Sequence, residues 1–148
     1  MSQSINEFFT HDHLRLDELF IQFQSEQTTP QNQIELFTQF REDLLAHICW
    51  EEELLFPAIE QAAGFSPSAG PTFVMRLEHK QIKECLNNIQ QALEQMQESK
   101  GSQRQLLNIL DEHNHKEENI LYPLCDNLLP SQVKQEILLK LRLQTDVA

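Results

Sequence analysis

His47-Ile-Cys-Trp-Glu51-Glu-Glu-Leu-Leu-Phe-Pro57 and His113-Asn-His-Lys-Glu117-Glu-Asn-Ile-Leu-Tyr-Pro123 share one template, H-x(3)-E-E-x(3)-[FY]-P, at a separation of 66 residues. His79 follows His13 by the same 66 positions, so the repeat extends beyond the two segments. A duplicated helical hairpin, or a bundle with pseudo-twofold symmetry, explains such a pattern.

Working outward, the apolar residues recur at alternating three- and four-residue spacing, the signature of helices that face a common seam. Helix A presents Phe9, His13, Leu16, Phe20 and Phe23, and helix B presents Phe37, Phe40, Leu44, His47, Glu51, Leu54 and Ala58. Helix C presents Met75, His79, Ile82, Leu86, Ile89, Leu93 and Met96, and helix D presents Leu106, Leu110, His113, Glu117, Ile120 and Leu124. Every polar interruption of these seams is a histidine or a glutamate.

Local signals set the expected boundaries. Ser4-x-x-Glu7 has the form of a capping box and opens helix A, which is expected to run to about Glu26. Thr29-Pro30 caps helix B, which reaches Gly64 with a bend at Pro57. The stretch Gly64 to Pro71 is a loop, and helix C covers about Thr72 to Ser99. Gly101 then stops it, and Ser102-x-x-Gln105 opens helix D toward Asn127. A tail helix follows over about 131–144. The expected fold is all-α, an up-down-up-down four-helix bundle over about 5–128 with a short C-terminal helix, making residues 1–148 a single domain.

The 148 residues are enough for one core, and with only three glycines the composition favours long helices. Eleven basic against 23 acidic residues leave a formal charge of −12, which repels nucleic-acid phosphates and anionic lipid. Nucleic-acid and membrane partners are therefore not expected. Cys49, Cys85 and Cys125 are odd in number without C-x-x-C spacing, so buried free thiols are expected rather than disulfides or a thiolate site. Neither a signal peptide nor a long apolar run is legible, and a cytoplasmic monomer or homodimer is expected.

Residues four apart lie on one helix face, about 6 Å apart along the axis. His47 with Glu51, and His113 with Glu117, therefore send an imidazole and a carboxylate into one region, while helices A and C add His13 and His79. Ionised carboxylates in an apolar seam cost several kcal/mol unless compensated, and a cation compensates them. This mixture of imidazole and carboxylate without thiolate suits non-haem iron, with zinc or another divalent cation also open. If each glutamate bridges, two iron ions share four carboxylate oxygens and four imidazole nitrogens. A bridging oxo or hydroxo would leave each ion five-coordinate with one open position.

The paired H-x(3)-E-E-x(3)-[FY]-P segments, His13-x-x-x-Asp17 and Glu78-His79 resemble the hemerythrin HHE cation-binding family over roughly Ile5 to Leu128. That resemblance implies a non-haem di-iron centre serving oxygen binding or sensing, iron homeostasis, or responses to nitric oxide and peroxide. Oxygen-carrying hemerythrins place a second histidine four residues after the one on helix C, where this chain has Lys83. His11 and His115 are two positions from seam histidines and point off that face, so a more symmetric and open site is expected.

Asp17 is expected behind the metal ligands, orienting an imidazole. Glu52 and Glu118 are expected to face solvent or a neighbouring helix, and Trp50, Phe56 and Tyr122 to serve packing, with a hydrogen bond or an electron donated by Tyr122 beside an iron pair as the alternative for that residue. No catalytic residue is legible. A metal-binding or sensing protein for O2, NO or peroxide is expected rather than an enzyme of defined class. The alternative is an iron- or zinc-stabilised regulatory or interaction domain without redox chemistry, whose exposed tail helix, with Ile137, Leu138 and Leu141, would dock a partner.

Overall fold

The structure, a computed structural model, describes residues 3–25 and 29–146. These residues form helices and connecting turns, with no strand among them. The helices are α1 (Ile5–Phe23), α2 (Pro30–Trp50), α3 (Phe56–Ala63), α4 (Pro71–Glu94), α5 (Lys100–Lys116), α6 (Tyr122–Leu128) and α7 (Ser131–Asp146). They pack as a helical bundle.

The capping box at Ser4 forms as expected: its hydroxyl accepts from Glu7 N–H at 2.9 Å, and the Glu7 carboxylate accepts from Ser4 N–H at 3.3 Å. Asp126 of α6 adds acceptors for the next two amides, Ile5 at 2.8 Å and Asn6 at 3.0 Å. A carboxylate there satisfies orphan donors and complements the positive end of the helix dipole. Thr29 caps α2, with Pro30 in the first turn. The expected end of helix A at Glu26 lies outside the described residues; α1 itself ends at Phe23.

Two expected boundaries are corrected. Helix α4 stops at Glu94 instead of Ser99, followed by Met96 in the left-handed conformation at φ 54°. Gly101 does not stop it but lies in the first turn of α5, whose N-cap is Ser99 rather than Ser102. The Ser99 hydroxyl accepts from Gln103 Nε2 at 2.8 Å.

The main departure from a plain seam occurs twice, at equivalent places. α2 runs into α3 through a π-helical turn, Glu51–Leu55, and α5 runs into α6 through another, Glu117–Leu121. In each, the N–H of the residue before proline, Phe56 or Tyr122, bonds back to the carbonyl of Glu51 or Glu117. Pro57 and Pro123 have no N–H and would crowd the carbonyl four residues back, so the wider turn accommodates them. The turn adds one residue to the seam. Leu55, Phe56 and Ile59 are thus buried in place of the expected Leu54 and Ala58. Ile120, expected inside, is 63% exposed, while Leu121, Tyr122 and Cys125 are buried.

The buried residues form two apolar clusters. One gathers Phe20, Phe37, Phe40, Ile82, Leu86 and Leu106; the other gathers Phe9, Trp50, Phe56, Tyr122 and the tail helix. The tail is not an exposed docking face: Ile137, Leu138 and Leu141 are buried, and Trp50 Nε1 donates to Gln144 Oε1 at 2.5 Å. Cys85 and Cys125 are buried free thiols, but Cys49 is exposed, against expectation. No described helix is long and apolar enough to cross a membrane.

Candidate metal centre

The polar seam residues meet between the helices: His13 from α1, His47 from α2, Glu51 and Glu117 from the two π-helical turns, His79 from α4 and His113 from α5. All six are buried, and Glu51 and Glu117 are 0% exposed. They form two groups able to hold a metal ion, His13–His47–Glu51–Glu117 and Glu51–His79–His113–Glu117, each with donor atoms within 4.8 Å of one another. Both glutamates belong to both groups.

The ring orientations explain how imidazoles are presented to this space. His13 Nδ1 lies 2.7 Å from Glu118 Oε2, and His79 Nδ1 lies 2.7 Å from Glu52 Oε2. His47 Nδ1 lies 2.8 Å from Asp12 Oδ2, and His113 Nδ1 lies 2.8 Å from Glu78 Oε1. A carboxylate only accepts, so each Nδ1 carries the proton and each Nε2 turns inward. Arg15 steadies Asp12 with a 2.8 Å bond, and Lys116 pairs with Glu78. The His113 bond, with help from Lys116 against partial burial, lowers the Glu78 pKa to about 2.

These four carboxylates were not assigned this role from the sequence. Asp17, expected to orient an imidazole, is exposed and hydrogen-bonds to none among the described residues; Asp12 takes that place. Of the two settings expected for Glu52 and Glu118, they take the neighbouring helix, where they hold His79 and His13. The signal was present: each adjoins a seam ligand candidate in the chain, and Glu78 and Glu118 follow Asp12 and Glu52 by the same 66 positions. His11, His115 and Lys83 are exposed, so no fifth imidazole joins the cluster.

For Tyr122 the alternative to plain packing holds: its hydroxyl hydrogen-bonds at the site. In an ordinary α-helix the fifth residue after Glu117 would lie about 140° round the axis. The π-helical turn brings Tyr122 back to the site, where its hydroxyl donates to Glu51 Oε2 at 2.5 Å and lies 3.0 Å from Glu117 Oε1. Burial and then the charges of Glu117 and Glu51 raise its pKa well above the usual value, so it stays a donor. Its counterpart Phe56 stacks on His79 with centroids 5.8 Å apart.

Protein atoms alone do not satisfy this cluster. Glu51 Oε1, Glu117 Oε2 and His79 Nε2 are buried without a hydrogen-bond partner. His79 Nε2 comes within 3.1 Å of Glu51 Oε1, but without hydrogen-bond geometry. Buried polar atoms left this way cost about 1–3 kcal/mol each, more when charged, and a cation among them removes that cost. The donor set therefore fits a metal ion. Replacing Asp12 by alanine is expected to weaken metal binding about 10- to 100-fold by freeing the His47 ring. Competition against a chromophoric chelator measures it; unchanged affinity would deny Asp12 that role.

This cluster defines a cation-binding helical bundle, and the chain belongs to the hemerythrin HHE cation-binding domain family, whose model matches residues 4–125. A DNA nickase of Nostoc sp. (strain PCC 7120 / SAG 25.82 / UTEX 2576) is 30% identical over 133 residues, 90% of this chain and 36% of that protein. The iron-sulfur cluster repair protein YtfE of Yersinia pestis (strain Pestoides F) is 32% identical over 92 residues, 55% of this chain and 41% of that protein. The chain thus corresponds to less than half the length of these curated relatives. No solved structure matches it.

Proposed function

We propose that the chain is a di-iron protein that binds, senses or reacts with O2, NO or peroxide, or serves iron homeostasis. His13, His47, Glu51, His79, His113 and Glu117 are its metal ligands. The observation that carries this reading is the sharing of Glu51 and Glu117 between two four-residue groups, since carboxylates common to both groups suit a pair of ions. Held by these six residues, a ferrous pair would supply reducing electrons and Lewis acidity. The chain supplies the rest. Four carboxylates fix the imidazole orientations, and the Tyr122 hydroxyl donates at the shared glutamates.

A small chamber of about 10 Å³, walled in part by Leu16, Phe40, Leu44 and Ile82, adjoins the ligands. That is room for about one water-sized molecule, which favours a diatomic gas or peroxide over a larger substrate. The likeness to the Yersinia repair protein supports an iron-related role. We do not extend the Nostoc relative's nicking of DNA to this chain, because its charge of −12 opposes binding to a polyanion.

The proposed topology is up-down-up-down. It is supported by opposed partners along α1 and α2 (Phe9 with His47, Phe23 with Phe37) and along α1 and α6 (Ile5 with Asp126, Phe9 with Tyr122). A cytoplasmic location accompanies this reading.

The test is elemental analysis of protein purified without added metal, with visible spectra before and after reduction and exposure to O2 and NO. Two irons per chain, with near-ultraviolet bands that bleach on reduction, are expected. Zinc alone, with no spectral response, would favour the metal-stabilised regulatory domain.

A further inference from the structure

Two cavities meet beside the metal ligands. The inner is the small chamber already described; the outer, about 290 Å³, opens between α1 and α5. His13, Asp17, Leu110 and Asn114 line both, so the outer chamber shares a wall with the inner one that holds the ligand cluster. At the inner end stands Glu117, which is 0% exposed and carries an oxygen without a partner.

The outer chamber adds carboxylates that are not among the six buried ligand candidates. Asp17, Asp111 and Glu118 all line it, and neither chamber has a lysine or arginine in its wall. Glu118 continues inward by holding His13 Nδ1 at 2.7 Å. Asp17 and Asp111 have no hydrogen bond or ion pair among the described residues. The carboxylates also feel one another: burial first, then the charges of Glu118 and Asp111, raise the Asp17 pKa against the pull of His13. Such a field does little for a neutral gas, repels anions and concentrates cations.

We propose that the crevice between α1 and α5 is the route by which a divalent cation, ferrous iron in the cell, reaches the ligands, with Asp17 and Asp111 collecting it at the mouth. This rests on the reading of the six buried residues as metal ligands. It gives Asp17 a part in metal acquisition rather than in orienting an imidazole.

The test follows uptake of Co2+ by the chelator-treated full chain in stopped flow, using cobalt absorbance as the readout. The double variant Asp17→Asn/Asp111→Asn changes two exposed side chains, and circular dichroism verifies its helix content. At low ionic strength its uptake is expected to be about tenfold slower than wild type, with the gap shrinking in high salt and the final cobalt content unchanged. The charge-matched variant Glu35→Gln/Glu136→Gln, altered outside the crevice, is expected to load at close to the wild-type rate. Wild-type kinetics in Asp17→Asn/Asp111→Asn, or equal slowing in both double variants, would overturn the route while leaving the ligand assignment intact. A lower final cobalt content in Asp17→Asn/Asp111→Asn would make these residues part of the binding site and also overturn it. Failure of the wild-type chain to take up cobalt would remove the ligand assignment, and the route with it.

Discussion

Glu117→Ala is expected to reduce metal content from about two ions per chain to one or fewer, because one side chain serves both donor groups. His13→Ala removes a donor from only one group, so its expected loss is confined to one ion. Glu117 is fully buried, and its Oε2 has no protein partner. Its charge therefore has little to balance it besides imidazole and metal, and removing it takes away both a donor and part of the neutralising charge. Glu117→Gln preserves the shape but not the charge, and is expected to lose metal in the same direction. Glu51→Ala repeats the experiment at the equivalent position. Metal analysis alongside helix content measures all four variants; two ions retained at full occupancy in Glu51→Ala or Glu117→Ala would defeat the bridging assignment.

The contrast between these residues and the ones supporting them shows what a linear sequence can reveal. His13, His47, Glu51, His79, His113 and Glu117 stood out because polar residues in an apolar seam violate a simple periodic pattern. The carboxylates holding the rings violate nothing. Each lies beside a seam position on its own helix and acts across to another, as Asp12 does to His47 and Glu78 to His113. Such crossings depend on how helices are rotated against one another, and only adjacency to a seam ligand candidate and the repeat of 66 hinted at them.

The seam itself was legible up to Glu51 and Glu117 and wrong by one residue beyond them, and it was also wrong at Met96, which lies past the end of α4 and is 84% exposed. A hydrogen bond spanning five residues leaves no mark in composition, so Leu54 and Ile120 were placed inward where Leu55 and Leu121 are buried. Pro57 and Pro123 were the available clue; Pro57 was read as a bend and Pro123 as its repeat, neither as a widened turn. The same slip hid Tyr122, which reaches the shared glutamates only through that turn. The tail helix was misjudged for a different reason: its apolar face was visible, but the bundle end that covers it is assembled from Ile5, Phe9 and Trp50, far away in the chain.

Metal loading at pH 7.5 is expected to release protons, at least from His47 and His113, because a cation must displace the proton from Nε2. His79 makes a further contribution, since burial lowers its pKa but Glu51 and Glu52 raise it on balance. Without metal, burial pulls the other two imidazole pKa values down but is outweighed, for His47 by Glu51 and the Asp12 bond, and for His113 by Glu117 and the Glu78 bond. Both are raised from 6.5 to about 10. A raised histidine stabilises the fold fully below its unfolded value, and that contribution fades as pH climbs from 6.5 toward 10. Glu51 works in the opposite sense. Burial opposes its ionisation, but His47 and hydrogen bonds hold its pKa well below 4.5, so its contribution exists above that value and is lost as pH falls through the depressed one. Chelator-treated protein should therefore melt at a lower temperature at pH 9 than at pH 6.5. Metal affinity should rise over that range, because fewer protons must be displaced, and loaded protein should lose less of its melting temperature. Calorimetric titration of Zn2+ into chelated protein, in two buffers of different ionisation enthalpy, counts the protons; thermal melts at the two pH values test the stability. Proton-neutral binding at pH 7.5, or a metal-free melting temperature that rises from pH 6.5 to 9, would mean that His47 and His113 are neutral before metal arrives. The charge of the shared glutamates would then have to be balanced by some other group.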